Sequence, residues 1–327
     1  VIIRVRNGAP DEYHYFDNVI VDAPDTIFSV ASGNWTTPSI WDTSRTNTAF
    51  TGVPGPLDII VIQNSSLVSL PFDTDVSNLI IENGGELRYT LANVDLGIVG
   101  DGRIEVQNGG TINENGQNNA TILVADEFLD ATIIANGTIT ASDIELWNFQ
   151  GQLDLSGSGS ISLSGTMGIN GADGAVFGTS YWQDPDITIN NSTDLSVTGN
   201  FGVISGSGNL IFTNNSAFDL DGNITGVTTA SQFTNAAGSE WYYAGTATTN
   251  VQLYAGATKN TFAYDLSGDQ TIITPQDSYW NLILDGSGIK ETEQDLDING
   301  NIIIAGTSQF NIDADNDDIT VAGDWTV

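Results

Sequence analysis

The sequence predicts an all-β chain that winds into a right-handed parallel β-helix, also called a β-solenoid. A short phrase of two alternating apolar residues, then Gly, then Asn or Asp occurs at Leu296–Asn301 and, 23 residues later, at Ile319–Asp324. The phrase also occurs at Leu195–Asn200 and at Phe218–Asn223, again 23 residues apart. Alternation places side chains two residues apart on one face of a strand, and Gly followed by Asn or Asp allows a turn. A strand-and-turn unit recurring at this period is typical of a solenoid.

Composition supports the same fold class. About 40% of the 327 residues are hydrophobic, which is enough to form a sizeable core. The chain is rich in Thr, Ile, Val, Asn and Gly, and it contains no long stretch of helix-favouring residues at a 3.6-residue spacing. The core is therefore expected to be built from strands, with few helices.

Residues 1–22 are predicted to form two strands, Val1–Arg6 and Tyr13–Val21, joined by a turn at Asn7–Asp11. This segment has two interpretations, the end of a preceding β-sandwich or an N-terminal cap. The chain opens on a strand and stops within a repeated phrase, so we expect it to be part of a longer protein.

Residues 23–62 are predicted to cap the solenoid. This stretch contains Trp35, Trp41, Pro54 and the aliphatic strand Ile59–Ile62. The first coil of a solenoid exposes both its core and a strand edge, and bulky aromatic residues with Pro can cover them. Capping is therefore favoured over a sugar-stacking role for the two tryptophans.

Two coil blocks are predicted, at residues 63–230 and 231–327. Within the first, Leu79–Leu87 recurs as Ile104–Ile112 after 25 residues, and residues 168–186 are predicted to form a projecting loop. Some 10 to 12 coils of about 24 residues, stacked about 4.8 Å apart, would make a rod of about 50–60 Å. We expect ladders of Asn, Thr and Ser, together with acidic residues, to coat this rod.

Charge and cysteine content exclude several classes of function. The chain has 41 acidic and seven basic residues, a net charge of −34, which excludes nucleic-acid binding and disfavours anionic bilayers. Without Cys, it has neither disulfides nor thiolate metal sites. No apolar run is long enough to span a membrane, so no membrane insertion is expected.

Several segments carry a resemblance to a known family. The segments are Tyr279–Leu284, Gly286–Lys290, Leu296–Asn301 and Val321–Thr326, with Gly33–Trp41 as a further signature. They resemble the repeat units of very large cell-surface proteins of the Bacteroidota. The resemblance implies export by the type IX secretion system and a role as an adhesin, including adhesins of gliding motility. It implies no catalytic residues. Asp324 departs from the family pattern, which has Asn at that position.

Catalysis is not predicted. Glycoside hydrolysis needs two carboxylates facing one bond, but with 41 acids such pairs are expected everywhere and indicate little. The Asp317–Asp318 pair lacks the accompanying Gly-His-Gly and Arg-Ile-Lys motifs, and the single histidine, His14, lies in the N-terminal segment. Serine hydrolases and histidine metal sites need more histidine than this. We therefore expect no catalytic residues and no required cofactor.

Calcium is the one cofactor for which the sequence offers a candidate site. Asp313, Asp315, Asp317 and Asp318, with Asp324 at the twelfth position, imitate an EF-hand loop, although its sixth position is Asp318 and not Gly. The alternative, which we favour, is that these acids are the outward members of alternating strands and turns, with Phe310, Ile312 and Ala314 pointing inward. Residues 219–223 offer a weaker oxygen cluster.

The candidate ligand contacts are Tyr181 and Trp182, which lie on the predicted projecting loop. Within Trp241–Tyr243, adjacent side chains point to opposite faces, so about half of these rings should be core.

The sequence predicts a non-enzymatic structural or adhesive segment of a long filament, secreted to the bacterial cell surface. Its expected partners are an extracellular surface or polysaccharide and other segments or chains of the same filament. The alternatives are a carbohydrate-binding or carbohydrate-cleaving β-helix, and a segment of a phage fibre.

Overall fold

The computed structural model describes residues 24–45, 52–124, 130–146, 151–170, 186–205, 209–226, 231–246, 248–249, 251–312 and 317–327. The predicted segment 1–22 lies outside these residues. One short 3₁₀ helix, Pro38–Ile40, is the only helix in the described part of the chain. The strands, in chain order, are β1 (Thr26–Ser29), β2 (Gly33–Asn34), β3 (Trp41–Asp42), β4 (Ile59–Ile62), β5 (Leu67–Leu70), β6 (Thr74–Ile81), β7 (Glu86–Tyr89), β8 (Val94–Val106), β9 (Thr111–Asn113), β10 (Ala120–Val124), β11 (Ala131–Ala135), β12 (Thr138–Ala141), β13 (Asp143–Leu146), β14 (Gln152–Leu163), β15 (Met167–Asn170), β16 (Asp186–Val197), β17 (Phe201–Ser205), β18 (Asn209–Asn214), β19 (Ala217–Leu220), β20 (Ile224–Thr225), β21 (Gln232–Asn235), β22 (Glu240–Tyr243), β23 (Thr248–Thr249), β24 (Gln252–Tyr254), β25 (Thr261–Tyr264), β26 (Gln270–Thr271), β27 (Asn281–Leu284), β28 (Ser287–Thr292), β29 (Leu296–Ile298), β30 (Ile302–Ile304), β31 (Thr307–Ile312), β32 (Ile319–Val321) and β33 (Trp325–Thr326).

The chain is a parallel β-solenoid of about 10 turns, as the sequence predicts. Successive strands of a coil lie on three faces in turn, and the strands of one face pair in parallel between neighbouring coils, except where the first and third faces are interrupted near β24 and β26. The first face begins at β1, β4 and the second half of β6, and it ends at β29 and β32. The second face runs through β2, β5, β7, β9, β12, the second halves of β14 and β16, β19, β22, β25, β27, β30 and β33.

The third face consists of two separate ladders. The longer one runs from the first halves of β6 and β8 through β10, β13, β15, β17 and β20 to β23. The shorter one contains β26, β28 and β31. Met167–Asn170 forms β15 of the longer ladder, so residues 168–170 are a strand and not part of the predicted projecting loop. Residues 171–185 of that loop lie outside the described residues.

The core lies inside the coils, where inward side chains stack directly on one another. On the second face Val68, Leu87, Ile112 and Ile139 follow one another in register, and all are fully buried. Further along, the same column becomes aromatic, with Phe218, Trp241 and Phe262 in the corresponding positions. Phe218 and Trp241 have ring centroids 4.9 Å apart. Burying a column of large apolar side chains is the main favourable contribution to such a fold.

The two tryptophans of the predicted cap are buried and pack against each other. Trp35 and Trp41 are 2% and 1% exposed, with ring centroids 5.1 Å apart, and Trp41 Nε1 donates to Trp35 O at 2.6 Å. β3 pairs antiparallel with β1 and so covers the edge that β1 leaves open. Burial at this depth leaves no ring face for a sugar. The last strand of the predicted cap, β4, already pairs with β6 as part of a coil.

Gly and Asn at the corners explain the repeated phrase. A Cβ on Gly222 would lie too close to Gly199 O, so neighbouring coils can approach only because glycines stack here. The Asn that follows bonds to the next coil: Asn200 Oδ1 accepts from Asn223 N at 3.0 Å, and Asn223 Oδ1 accepts from Thr246 N at 3.0 Å. The predicted turn is therefore also a contact between coils.

A predicted ladder of asparagines lies in the interior of the solenoid and not on its surface. Asn191, Asn214, Asn235 and Asn260 form a ladder at the corner between the first and second faces, but all four are fully buried and do not coat the rod. Asn191 Nδ2 donates to Asn214 Oδ1 at 2.9 Å, and Asn214 Nδ2 donates to Asn235 Oδ1 at 3.0 Å. The reason is that the corner backbone has polar groups that need partners, and an inward amide supplies both donors and an acceptor.

Candidate functional site

Among the described residues, the ladder of the third face is interrupted between β23 and β26, and the ladder of the first face is interrupted one coil later, where single bridges through Tyr279 join β24 to β29. β23 and β26 belong to successive coils, yet no pairing among the described residues joins them. The first and second faces are continuous at the same level, where β21 pairs with β24 and β22 pairs with β25. The coil that contains β26 therefore departs from the preceding coil only on the third face.

Two buried side chains lie beside the break between β23 and β26, and one of them bridges it. Gln270 Nε2 donates to Tyr243 O and to Gly245 O, both at 2.8 Å, in the preceding coil. Lys290, in the following coil, is fully buried, and its Nζ donates to Leu266 O at 2.7 Å, Gly268 O at 3.1 Å and Gln270 Oε1 at 3.1 Å. Gln270 therefore joins its coil to the preceding coil where the ladder is missing, and Lys290 adds side-chain bonds between coils that β26 and β28 already join.

Two buried tyrosines hold the chain that follows β26. Tyr264 and Tyr279 are fully buried, and their hydroxyl oxygens are 2.7 Å apart. Tyr264 Oη accepts from Ile273 N at 2.8 Å, and Tyr279 Oη donates to Ile273 O at 2.5 Å. Both backbone groups of Ile273 are therefore bonded from the inside of the coil, and Ile272 beside it is buried. The backbone of this coil is drawn towards the core.

The inward path of this coil leaves a groove on the third face, with a volume of about 570 Å³. It lies within the size range of ligand sites. Three successive coils contribute to its wall: the coil of Tyr243, the coil of residues 271–276 and the coil of Glu293. The lining residues are Tyr243, Thr246, Thr271, Ile272, Ile273, Thr274, Pro275, Gln276, Glu293 and Gln294.

A smaller space of about 170 Å³ adjoins the groove and shares Thr246 and Thr271 with it. Asp269 and Glu291 line this second space, so carboxylates lie on that side. Among the described residues, no Lys, Arg or His lines the groove or the smaller space. Lys290 lies nearby, buried against Gln270. Burial lowers the pKa of Lys290, while the carboxylates of Asp265, Asp269 and Asp285 act in the opposite direction.

An acidic cluster lies near the same break. Burial raises the pKa of Asp265 to about 6, and repulsion from Asp219 and Asp221 adds to this. Burial likewise raises the pKa of Asp219, helped by Asp221. Asp265 Oδ1 has no hydrogen-bond partner among the described residues. No group of three or more His, Cys, Asp or Glu in the described part of the chain could hold a metal ion.

Two members of the predicted calcium site, Asp318 and Asp324, lie on either side of β32. Asp318 lies immediately before β32 and donates its N–H to Asp295 Oδ1 at 2.8 Å. Asp324 follows β32 and donates its N–H to Asn301 Oδ1 at 2.8 Å. Asp318 and Asp324 are separated by β32 and by the bend at Ala322–Gly323, and their N–H groups bond to different residues of the preceding coil. Asp317 is half-buried, and Asp313 and Asp315 lie outside the described residues, so the calcium site stays a prediction.

The predicted inward alternation at Phe310 and Ile312 is only partly found. Phe310 is half-buried and packs against the core, whereas Ile312 is 41% exposed. β31 is the last strand of its face among the described residues, so no further coil covers Ile312.

Aromatic residues divide between core and surface as predicted. Trp241 and Tyr243 are buried, whereas Tyr242 between them points outward and donates its hydroxyl to Glu240 Oε2 at 2.8 Å. The predicted contacts Tyr181 and Trp182 lie outside the described residues, so they remain a prediction.

Sequence reasoning missed the groove. Its only local signals are Pro275, which departs from the strand pattern, and Lys290 at a position of inward alternation. Neither signal shows that a coil leaves the ladder, because the groove is lined by residues of three different coils.

Comparison with protein families, with curated proteins and with solved structures finds no match to this chain. Among the described residues, no helix has the length and apolar character needed to cross a bilayer.

Proposed function

We propose that this chain is a non-enzymatic structural and adhesive segment of a long secreted filament on the bacterial cell surface, where it acts as a rigid spacer with contact surfaces along its side. The observation that carries the proposal is the second face, whose parallel ladder runs unbroken from β2 to β33. A rod in which each coil bonds to the next resists bending, which a spacer requires.

Hydrogen bonds between the corners of neighbouring coils also support the proposed spacer role. Bonds such as Asn301 Oδ1 to Asp324 N, at 2.8 Å, tie each coil to its neighbour independently of the strands. The net charge of −34 keeps such rods soluble and apart from one another. The resemblance of Tyr279–Leu284 and its neighbours to the surface proteins of the Bacteroidota supports type IX secretion and an adhesin role, including gliding motility.

The proposal is tested by retention of the protein on insoluble polysaccharides and bacterial surfaces, with release of soluble sugar measured in the same samples. We expect retention of the folded protein without release of reducing ends or unsaturated products, and no retention of heat-unfolded protein. Release of sugar fragments would indicate the carbohydrate-cleaving alternative. Absence of retention on every surface would remove the adhesive role.

The phage-fibre alternative is separated by mass in solution. Light scattering during size-exclusion chromatography is expected to give the monomer mass of 34.6 kDa or a concentration-dependent mixture. A stable trimer at all concentrations would favour a fibre.

A further inference from the structure

We infer that the groove on the third face is a binding site for a neutral oligosaccharide, held by the hydroxyl and amide groups of the coil that leaves the ladder. This inference rests on the proposed adhesive function and names the ligand class and the place of contact. Its basis is the chemistry of the lining, the charge around it and the rigidity of its floor.

The hydrogen-bonding groups of the lining match sugar hydroxyls. Thr246, Thr271 and Thr274 supply hydroxyls, and Gln276 and Gln294 supply primary amides. These groups both donate and accept, as sugar hydroxyls do, whereas an ammonium group only donates. Ile273 and Pro275 add an apolar surface on which the C–H face of a sugar ring can pack.

The charge around the groove selects against acidic sugars. Glu293 lies in the groove, and Asp269 and Glu291 line the adjoining space, while no Lys, Arg or His lines either one. A carboxylate or sulfate on the ligand would meet only like charge. A uronic acid or a sulfated sugar is therefore disfavoured, and a neutral hexose chain is not.

The floor of the groove is held in place before any ligand arrives. Ile273 is bonded through both its N–H and its C=O to Tyr264 and Tyr279, and Gln276 N donates to Leu253 O at 2.7 Å. Sites that need no ordering on binding retain more of their interaction free energy as affinity. The side chains of Gln276 and Gln294 are exposed, so they can contact a ligand without any rearrangement of the coil.

The test is calorimetric or NMR titration of the full chain with neutral hexose oligosaccharides, with uronic-acid oligomers of similar length and with a lysine-rich peptide. The double variant Gln276→Ala, Gln294→Ala removes two exposed amides from the groove, and Thr271→Trp fills it. Gln309→Ala is the matched control, because Gln309 is an exposed glutamine on β31 that does not line the groove. Circular dichroism and thermal melting establish that each variant is folded.

We expect at least one neutral oligosaccharide to bind. The double variant should weaken binding about thirtyfold, because two hydrogen bonds of about 1 kcal/mol each are lost, and Thr271→Trp should weaken it at least as much. Gln309→Ala should stay within about twofold of the unchanged protein.

Binding to none of the neutral sugars, stronger binding of the uronic-acid oligomers or of the peptide, or an equal loss in Gln309→Ala would overturn the inference. Retention of the protein on surfaces without sugar binding in the groove would leave the adhesive proposal intact. Cleavage of a sugar that binds there would remove the non-enzymatic proposal and leave the binding site.

Discussion

At the scale of single residues, the buried lysine shows how far a side chain's role depends on its place in the stack. Lys290 alternates with Ile289 and Glu291 on β28, and alternation puts it inside. A buried ammonium group is costly unless it is fully hydrogen-bonded, and its three acceptors, Leu266 O, Gly268 O and Gln270 Oε1, provide those bonds. Alternation predicts its direction, but its acceptors lie some 20 residues away in the preceding coil and could not be predicted.

Replacing this lysine should be costly for stability. In Lys290→Met the three acceptors lose their donor, so we expect the free energy of unfolding to fall by about 2–4 kcal/mol. Lys259→Met is the matched control, because Lys259 is exposed, and it should change stability by less than about 0.5 kcal/mol. Urea unfolding followed by fluorescence measures both. A loss no larger than that of the control would show that Lys290 does not join the coils.

Asp265 should make stability depend on pH. The pKa of Asp265 is about 6 in the folded chain and near its ordinary value of 3.8 in the unfolded chain. Between these values the folded state binds more protons, so this carboxyl lowers the free energy of unfolding as pH rises from about 4 to about 6. Asp265→Asn should therefore stabilise the protein by about 1–3 kcal/mol at pH 7 and have little effect near pH 4.

Urea unfolding at the two pH values measures this difference. Asp297→Asn serves as the control, because Asp297 is an exposed outward residue of β29. Destabilisation by Asp265→Asn at pH 7, or an equal effect at both pH values, would contradict the assignment.

At the scale of elements, the repeated phrase predicts a strand and a corner but not which face they occupy. Leu195–Asn200 runs from the second face to the corner before the third, and Phe218–Asn223 lies beside it in register. Leu296–Asn301 and Ile319–Asp324 also pair in register, but they belong to the first face. The pairing of each phrase with its copy could be predicted from spacing. The face could not, because all three faces need the same alternation and the same tight corner.

The buried asparagine ladder is an element whose loss should be felt over several coils. Asn214 Oδ1 accepts from Asn191 Nδ2, and Asn214 Nδ2 lies within 3.0 Å of Asn235 Oδ1, Ser216 O and Glu240 O. Asn214→Ala should lower the free energy of unfolding by about 2–4 kcal/mol, because these buried groups lose a partner.

The next residue offers the control for this change. Asn215 is exposed, so Asn215→Ala should cost less than about 0.5 kcal/mol. Denaturant unfolding of the two variants decides the matter, and equal effects would mean that the ladder contributes no more than a surface asparagine.

At the scale of the whole molecule, the period and the alternation were enough to predict a stack of coils. Leu79 pairs with Ile104 and Leu87 with Ile112, as their 25-residue spacing predicts. The groove could not be predicted in this way, because it lies where the ladder of the second face continues while those of the third and first faces are interrupted. A repeat predicts what successive coils share, and the candidate site lies where one coil differs.

The central claim is that the chain forms one continuous stack, and distances between spin labels test it most directly. The chain has no Cys, so labels can be attached at introduced cysteines without removing any. Ser69, Ser162, Asp219 and Ile303 lie in one outward column of the second face. In order along the stack, the column consists of Ser69, Arg88, Asn113, Thr140, Ser162, Ser196, Asp219, Tyr242, Ala263, Ile283 and Ile303.

Pulsed electron paramagnetic resonance on Ser69 paired with each of the other three labelled positions gives three separations. The stack predicts about 19 Å to Ser162, about 29 Å to Asp219 and about 48 Å to Ile303, since each coil crossed adds about 4.8 Å. Separations that do not rise in this order, or a distance from Ser69 to Ile303 below about 35 Å, would contradict a single stack of parallel coils.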